Sequence, residues 1–382
     1  MKSSGAMDDA PVRDEKLDLA ERLPCTLISA AAGTVEEAIR TPGLFLTKSQ
    51  LIDLMRYTTH GLALPIALKD VVWYLGYETG AGLNLEARDF QASFNRIHLH
   101  AAQWKPLRTD LMNVGSELWV FADQMQVYGN GVRELYNEIR AKAAETLEPA
   151  DHQDFLHYIE QVAALVLHRR STTEALKGRL DAFSRELSTR VMPDVQLKLK
   201  SIDNNNVPAD IKTLNDAINR RAADIEEKQR EYKTLIKKSV GASFALIGLG
   251  IYYGVEAGKV RRKINALRLE QENSIRLLEQ KNRIHASLQR VLHDLHDLSL
   301  IILDADIAIQ NMVVVWNGLH IFLIHSAQEA GKIDNSLSMR RLMNAFNLVA
   351  EPWTQIKREA DTLLKVFKEA DREFRKNYGH QA

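Results

Sequence analysis

A run of seventeen uncharged residues, Ser239 to Val255, separates two long charged stretches in the middle of this 382-residue chain. It reads Ser-Val-Gly-Ala-Ser-Phe-Ala-Leu-Ile-Gly-Leu-Gly-Ile-Tyr-Tyr-Gly-Val, directly after Lys237-Lys238 and shortly before Lys259, Arg261, Arg262 and Lys263. On its N-terminal side Ile211, Ile218, Ile225 and Tyr232 recur every seven residues among charges. That spacing marks a helix with one seam buried against another helix. On the C-terminal side Leu267, Leu288, Leu295 and Ile302 fall at multiples of seven, with polar lapses at Ser274 and Lys281. Two helical arms therefore lead to and from an apolar tip, which a membrane or a large partner surface would cover.

Helix geometry limits what the tip can do. At about 1.5 Å per residue the run reaches roughly 25 Å, short of the roughly 30 Å of a bilayer core. Gly241, Gly248, Gly250 and Gly254 also weaken a continuous helix. The run predicts a re-entrant hairpin dipping into one leaflet, with both basic flanks on one membrane face against lipid phosphates. Its membrane-contacting candidates are Val240, Phe244, Leu246, Ile247, Leu249, Ile251, Tyr252, Tyr253 and Val255. Its lipid-headgroup candidates are Lys237, Lys238, Lys259, Arg261 and Arg262. The alternative is that the run folds back onto the bundle or its own arms, and both states can occur in sequence.

Elsewhere the pattern is helical. Thr47 is placed to cap a helix carrying Leu51, Ile52, Leu54 and Met55, and a short second helix ends at Gly76. A long helix is predicted from about Glu86 to Thr146, kinked or split by Pro106. The next begins at Pro149 or Asp151 and runs towards Met192-Pro193, before a loop at Asp203 to Pro208. After Leu298 the returning arm becomes apolar on most sides, as the central helix of a bundle is. A last helix is predicted over about Leu337 to Asn377, and no stretch alternates with period two. The fold class is all-α: an elongated antiparallel bundle with a long coiled-coil neck and an apolar head tip. Residues 1–40 form a weakly patterned arm, 41–206 and 298–382 a helical-bundle tail, 207–238 and 259–297 the neck, and 239–258 the head.

The composition narrows the function classes. Fifty basic and fifty acidic residues cancel, so no global field draws the chain to nucleic acid. Cys25 is the only cysteine, which excludes internal disulfides and cysteine zinc clusters. Phosphate-loop, dinucleotide, nucleophile-elbow and zinc-protease motifs are all absent, and an enzyme is not expected. His293 and His296 lie one turn apart without a third ligand at matching spacing, and His98 and His100 point in different directions, so no metal and no cofactor is predicted. Trp73, Trp104, Trp119, Trp316 and Trp353 are read as core anchors. The polar segment Met1 to Asp18 contains no secretory signal.

The N-terminal block resembles a known family. Gly43-Leu44-Phe45, Leu51-Ile52-Asp53-Leu54, Gly61-Leu62-Ala63-Leu64-Pro65, Tyr74-Leu75-Gly76-Tyr77 and Ile97-His98-Leu99-His100-Ala101-Ala102-Gln103-Trp104 resemble the A components of binary α-helical pore-forming cytotoxins, the XaxA/YaxA family, related to the ClyA-type toxins. Trp316, Glu351-Pro352-Trp353 and the helix over Leu363 to Phe374 add to the likeness. The resemblance implies an elongated soluble monomer that leaves its cell without a recognisable signal and acts at a target-cell membrane. It implies a B component as partner and a hetero-oligomeric, ring-shaped pore. The foot would be Val240 to Val255, anchoring in membrane lipid while the B component lines the pore. A competing reading is an intracellular coiled-coil scaffold or membrane-associated structural protein. In that reading the heptads dimerise, although lapses at Arg221 and Lys228 weaken a self-sufficient coiled coil.

Overall fold

The computed structural model describes residues 44–79, 81–141, 149–203, 208–243, 247–280, 282–331 and 336–378. These residues are helical almost throughout, with no strand among them. The helices are α1 Lys48–Ala63, α2 Leu68–Leu75, α3 Ala87–Ala102, α4 Trp104–Ala141, α5 Pro149–Glu186, α6 Met192–Asp203, α7 Ala209–Ser243, α8 Ile247–Glu279, α9 Arg283–Ala330, α10 Ser336–Ala350 and α11 Trp353–Tyr378. The chain is all-α, as its sequence periodicities predict.

Local chemistry sets the breaks. Thr47 closes a capping box: its backbone N–H donates to Gln50 Oε1 at 2.8 Å, and Gln50 N–H donates to Thr47 Oγ1 at 3.3 Å. Gly76 ends α2 in the left-handed region (φ +80°), which glycine adopts without strain. The long helix expected over 86–146 breaks at Gln103, not at Pro106. Pro106 instead sits in the first turn of α4, where its missing N–H leaves no intrahelical bond unmade. The helix expected over 337–377 is likewise two helices, parted at Glu351-Pro352. A residue before proline is pushed out of the helical region.

Pro193, by contrast, does not stop its helix. A π turn over Leu187–Val191 joins α5 to α6, and Met192 N–H reaches back five residues to Leu187 O. The wider turn gives the proline ring room that an α turn denies it.

The described residues form two compact units. The first contains 117–172 and 311–360. Its centre is aromatic: Phe121 meets Trp316 and Trp353 edge-on with centroids 5.0 and 4.8 Å apart, and the two indoles stack at 6.1 Å. All three are buried, as are Phe155, Ile159, Val162 and Phe346 of the same unit. Of the five tryptophans, Trp104, Trp316 and Trp353 are core anchors as expected, and Trp119 is half-buried with Lys357 Nζ 5.1 Å from its ring centroid. Trp73 corrects the expectation: it is 86% exposed, on the face of α2 opposite the buried Val71 and Leu75.

The second unit contains 44–116, 173–310 and 361–378. Gly61 lets α1 approach α3 closely, since a Cβ there would stand 2.8 Å from that of Ala101. Tyr57 and His100 fasten the same pair. His100 Nε2 lies 3.1 Å from Phe183 O and so donates to it, which leaves Nδ1 to accept from the Tyr57 hydroxyl at 2.6 Å. The imidazole stacks on Phe183 at 4.1 Å, and burial lowers its pKa.

Candidate functional site

The arms predicted from the heptads are α7 and α8, packed against each other and against the start of α9. Ile211, Ile218, Ile225 and Tyr232 are all buried along this seam, with Ile264, Ile275, Leu278 and Leu300 across from them. The second row of the seam is not at Arg221 and Lys228. Those two are paired at the periphery, to Glu270 at 3.1 Å and Glu231 at 2.8 Å. The second row stands one residue later, at Asn215, Ala222 and Gln229, all buried. Its polar members are satisfied by position: Gln229 Nε2 donates to His296 O at 2.9 Å, and Asn215 Oδ1 accepts from Gln289 Nε2 at 2.5 Å. Gln271 Nε2 adds a third link, to Ile218 O at 3.2 Å.

α7 ends at Ser243 and α8 begins at Ile247. Phe244 and Leu246 lie outside the described residues, and so do the side chains of Val240, Ile247, Leu249, Ile251, Tyr252, Tyr253 and Val255. Beside the tip, Lys237, Lys238, Lys259 and Arg262 are exposed. Lys259 pairs with Glu256 at 2.5 Å. The two basic flanks do not stand level. Lys238 is five residues from the end of α7, whereas Lys259 is twelve residues from the start of α8. At about 1.5 Å per residue the α8 group is set back by roughly 10 Å.

Arg261 departs from its expected place in this collar. Its guanidinium turns inwards, 3.8 Å from Asp304 and 4.0 Å from Asp297, over the Tyr232 ring at 5.8 Å. It belongs to a polar cluster that sequence reading missed. Asp304 also accepts from Gln50 Nε2 and from the Tyr232 hydroxyl, both at 2.5 Å. Asp297 holds Arg268 at 2.6 Å, and Asp294 meets His60 Nδ1 at 3.0 Å. Arg56 lies 3.6 Å from Asp53 and 3.7 Å from Glu272. The available signal was the aspartates 294, 297, 304 and 306, set in a largely apolar stretch of α9; carboxylates are almost never fully buried unless paired.

His293 and His296 are also buried here, each held by a neighbour. His293 Nδ1 lies 2.7 Å from Gln271 Oε1, and His296 Nε2 lies 3.1 Å from Glu226. Burial and the Arg268 charge push the His293 imidazole down to about 4. The hydrogen bond from His296 lowers the Glu226 carboxyl, while burial opposes it. Among the described residues no three His, Cys, Asp or Glu side chains group as metal ligands. α9 is the one described helix long and apolar enough to cross a membrane, and half of its apolar window is buried within the fold.

No protein-family model matches the chain, and no curated protein is significantly similar to it in sequence. Solved structures are similar to it over most of their length. YaxA from Yersinia enterocolitica is 24% identical, aligned over 87% of this chain and 100% of that one with a TM-score of 0.50. A chain of the YaxAB pore complex is 23% identical, with the same coverage and a TM-score of 0.50. SmhA, from the tripartite α-pore-forming toxin of Serratia marcescens, is 14% identical over 92% of this chain and 96% of that one, with a TM-score of 0.57. The all-α fold expected from the sequence is therefore the fold found, and it is similar to those of YaxA and SmhA.

Proposed function

We propose that this chain is the membrane-contacting subunit of a binary pore-forming cytotoxin, secreted as a soluble protein and assembling with a B component into a ring-shaped pore on a target cell. It acts by binding and assembly, not by catalysis. The observation that carries this reading is a fold shared over 87% of this chain with YaxA and with a chain of a pore complex. The mid-chain apolar hairpin between α7 and α8 supplies the means of contact. Residues 240–255 enter one leaflet and anchor the subunit. Lys237 and Lys238 meet headgroup phosphates first, and Lys259 and Arg262 form a second, set-back group. Arg261 is left out of the collar, because its charge is already matched by Asp297 and Asp304. The scaffold reading loses its motive, since Ile211, Ile218, Ile225 and Tyr232 are consumed within one chain's own helices.

The test is co-sedimentation with liposomes and release of a trapped dye, with and without a candidate B component. The protein alone should sediment with vesicles, and dye should escape only when both proteins are present. Changing Leu246, Ile247 and Ile251 to Asp should abolish sedimentation, since each apolar side chain placed in lipid is worth roughly 1.5–3 kcal/mol. Equal binding by that variant would refute the hairpin as the contact.

A further inference from the structure

The base of the α7–α8 hairpin is made of two junctions that lie against each other. α6 ends at Asp203 and α7 begins at Ala209, while α8 ends at Glu279 and α9 begins at Arg283. One chain of hydrogen bonds crosses them. Gln289 of α9 donates through Nε2 to Asn215 Oδ1 of α7 at 2.5 Å, and Asn215 Nδ2 donates in turn to Asp203 Oδ1 at the end of α6. His285 meets this chain from the first turn of α9, with Nε2 3.5 Å from the same Asp203 oxygen. Its side chain is fully buried, and among the described residues neither ring nitrogen has a hydrogen-bond partner.

We propose that His285 is an acid-operated joint: a proton on its ring breaks the Asp203–Asn215–Gln289 chain and loosens the ends of α6 and α8 and the starts of α7 and α9 from one another. The reason is a mismatch between this place and a cation. An imidazolium has two N–H donors and a charge, whereas the site offers one carboxylate oxygen at the limit of hydrogen-bond distance, already engaged by Asn215. Closing the gap draws Asp203 off Asn215; leaving it open strands a buried charge, which is costly. The helix adds to the mismatch. Asn282 caps α9, its Oδ1 accepting from the His285 N–H at 3.0 Å, so the ring hangs from the first turn, where the helix dipole presents its positive end. This inference is independent of the membrane reading.

The surroundings of the ring fix the sign. Among the described residues, Asp203 of α6 is the charged group that acts on it. α7 brings the neutral Asn215 and Asn219 to this base, and α8 brings Ile275 and Leu278. Glu279 of α8 is paired with Arg290 of α9 at 2.8 Å, and Lys200, Asp210 and Lys212 are exposed. α2 reaches the same turn through the Tyr74 hydroxyl, which donates to Ser287 Oγ at 3.0 Å. Burial outweighs Asp203, so the imidazole lies below its ordinary 6.5. A lowered histidine contributes in full above 6.5, and that contribution drains away as pH falls below it. The base is therefore shut at neutral pH and loosens in acid.

Hydrogen exchange of the full-length protein between about pH 4 and pH 7.5, corrected for intrinsic rates, reads the joint at the amides of the first turns of α7 and α9. Opening there should be constant above 6.5 and rise below it, by up to about tenfold per pH unit. H285Q, neutral at every pH, should stay flat, and H293Q should keep the rise at these amides. Opening that ignores pH, a rise that survives in H285Q, or one that vanishes in H293Q overturns the proposal. Should H285Q fail to fold, D203N decides. Without the carboxylate that favours the charged ring, the rise should continue to lower pH than in the wild type, and an unchanged profile rules the joint out.

Discussion

One helix, α9, serves two cores of opposite character. In its later part, within the unit of 117–172 and 311–360, Trp316 lies against Phe121 and Trp353, and the interior is apolar. In its earlier part, within the other unit, His293, Asp294, His296, Asp297 and Asp304 are matched to Arg, Gln, Glu and His partners from α1, α7 and α8. The aromatic core gains its stability from area and fit, which tolerate small shifts in register. The polar core gains little net energy, because desolvation offsets attraction, yet it accepts only one register. Stability and specificity are thus divided between the two units.

Three variants probe that division. The largest effect should come from Trp353→Ala, which empties the centre of the aromatic core; denaturant unfolding should show a loss of about 3–5 kcal/mol. Asp297→Ala should cost nearly as much, roughly 3 kcal/mol, by leaving Arg268 without its counter-charge. The informative companion is Asp297→Leu with Arg268→Met. If the polar core contributes register and not energy, this pair unfolds within about 1 kcal/mol of the wild type. A double variant as unstable as the single one would show that the ion pair itself stabilises the fold.

The smallest effect is a matter of pH. His293 is held neutral, with its pKa about 4 against an ordinary 6.5, so its contribution is complete above 6.5. As pH falls from 6.5 to 4 that contribution drains away at about 1.4 kcal/mol per unit. His100 and His285 shift in the same direction through burial. Circular dichroism melts at descending pH should therefore show Tm falling below about 6.5, and His293→Gln should flatten part of the slope.

Periodicity made most of the helices legible. Thr47, Gly76 and the four seam positions behave as their spacing implies. Proline alone was a poor guide, because its effect depends on position: Pro106 rests in a first turn, Pro193 is carried by a π turn, and Pro352 separates two helices. The polar core was illegible for a different reason. A lone Asp, Arg or His on a helix reads as surface, and the partners that bury it arrive from elsewhere in the chain; His60 meets Asp294 across 234 positions. Arg261 looked like part of a basic flank for the same reason, since its neighbours Arg262 and Lys263 do face outwards.

The π turn before Pro193 bears on more than the proline. Phe183, Leu187, Val191, Val195 and Leu199 are buried at strict four-residue steps. On an α-helix each such step advances the side chain by about 40° too far, so a stripe of four steps would wind well round the rod. Leu187–Val191 takes up this excess within one widened turn. It works as a phase correction: the same chain direction continues, but the angular clock is reset, so that one buried face serves both α5 and α6.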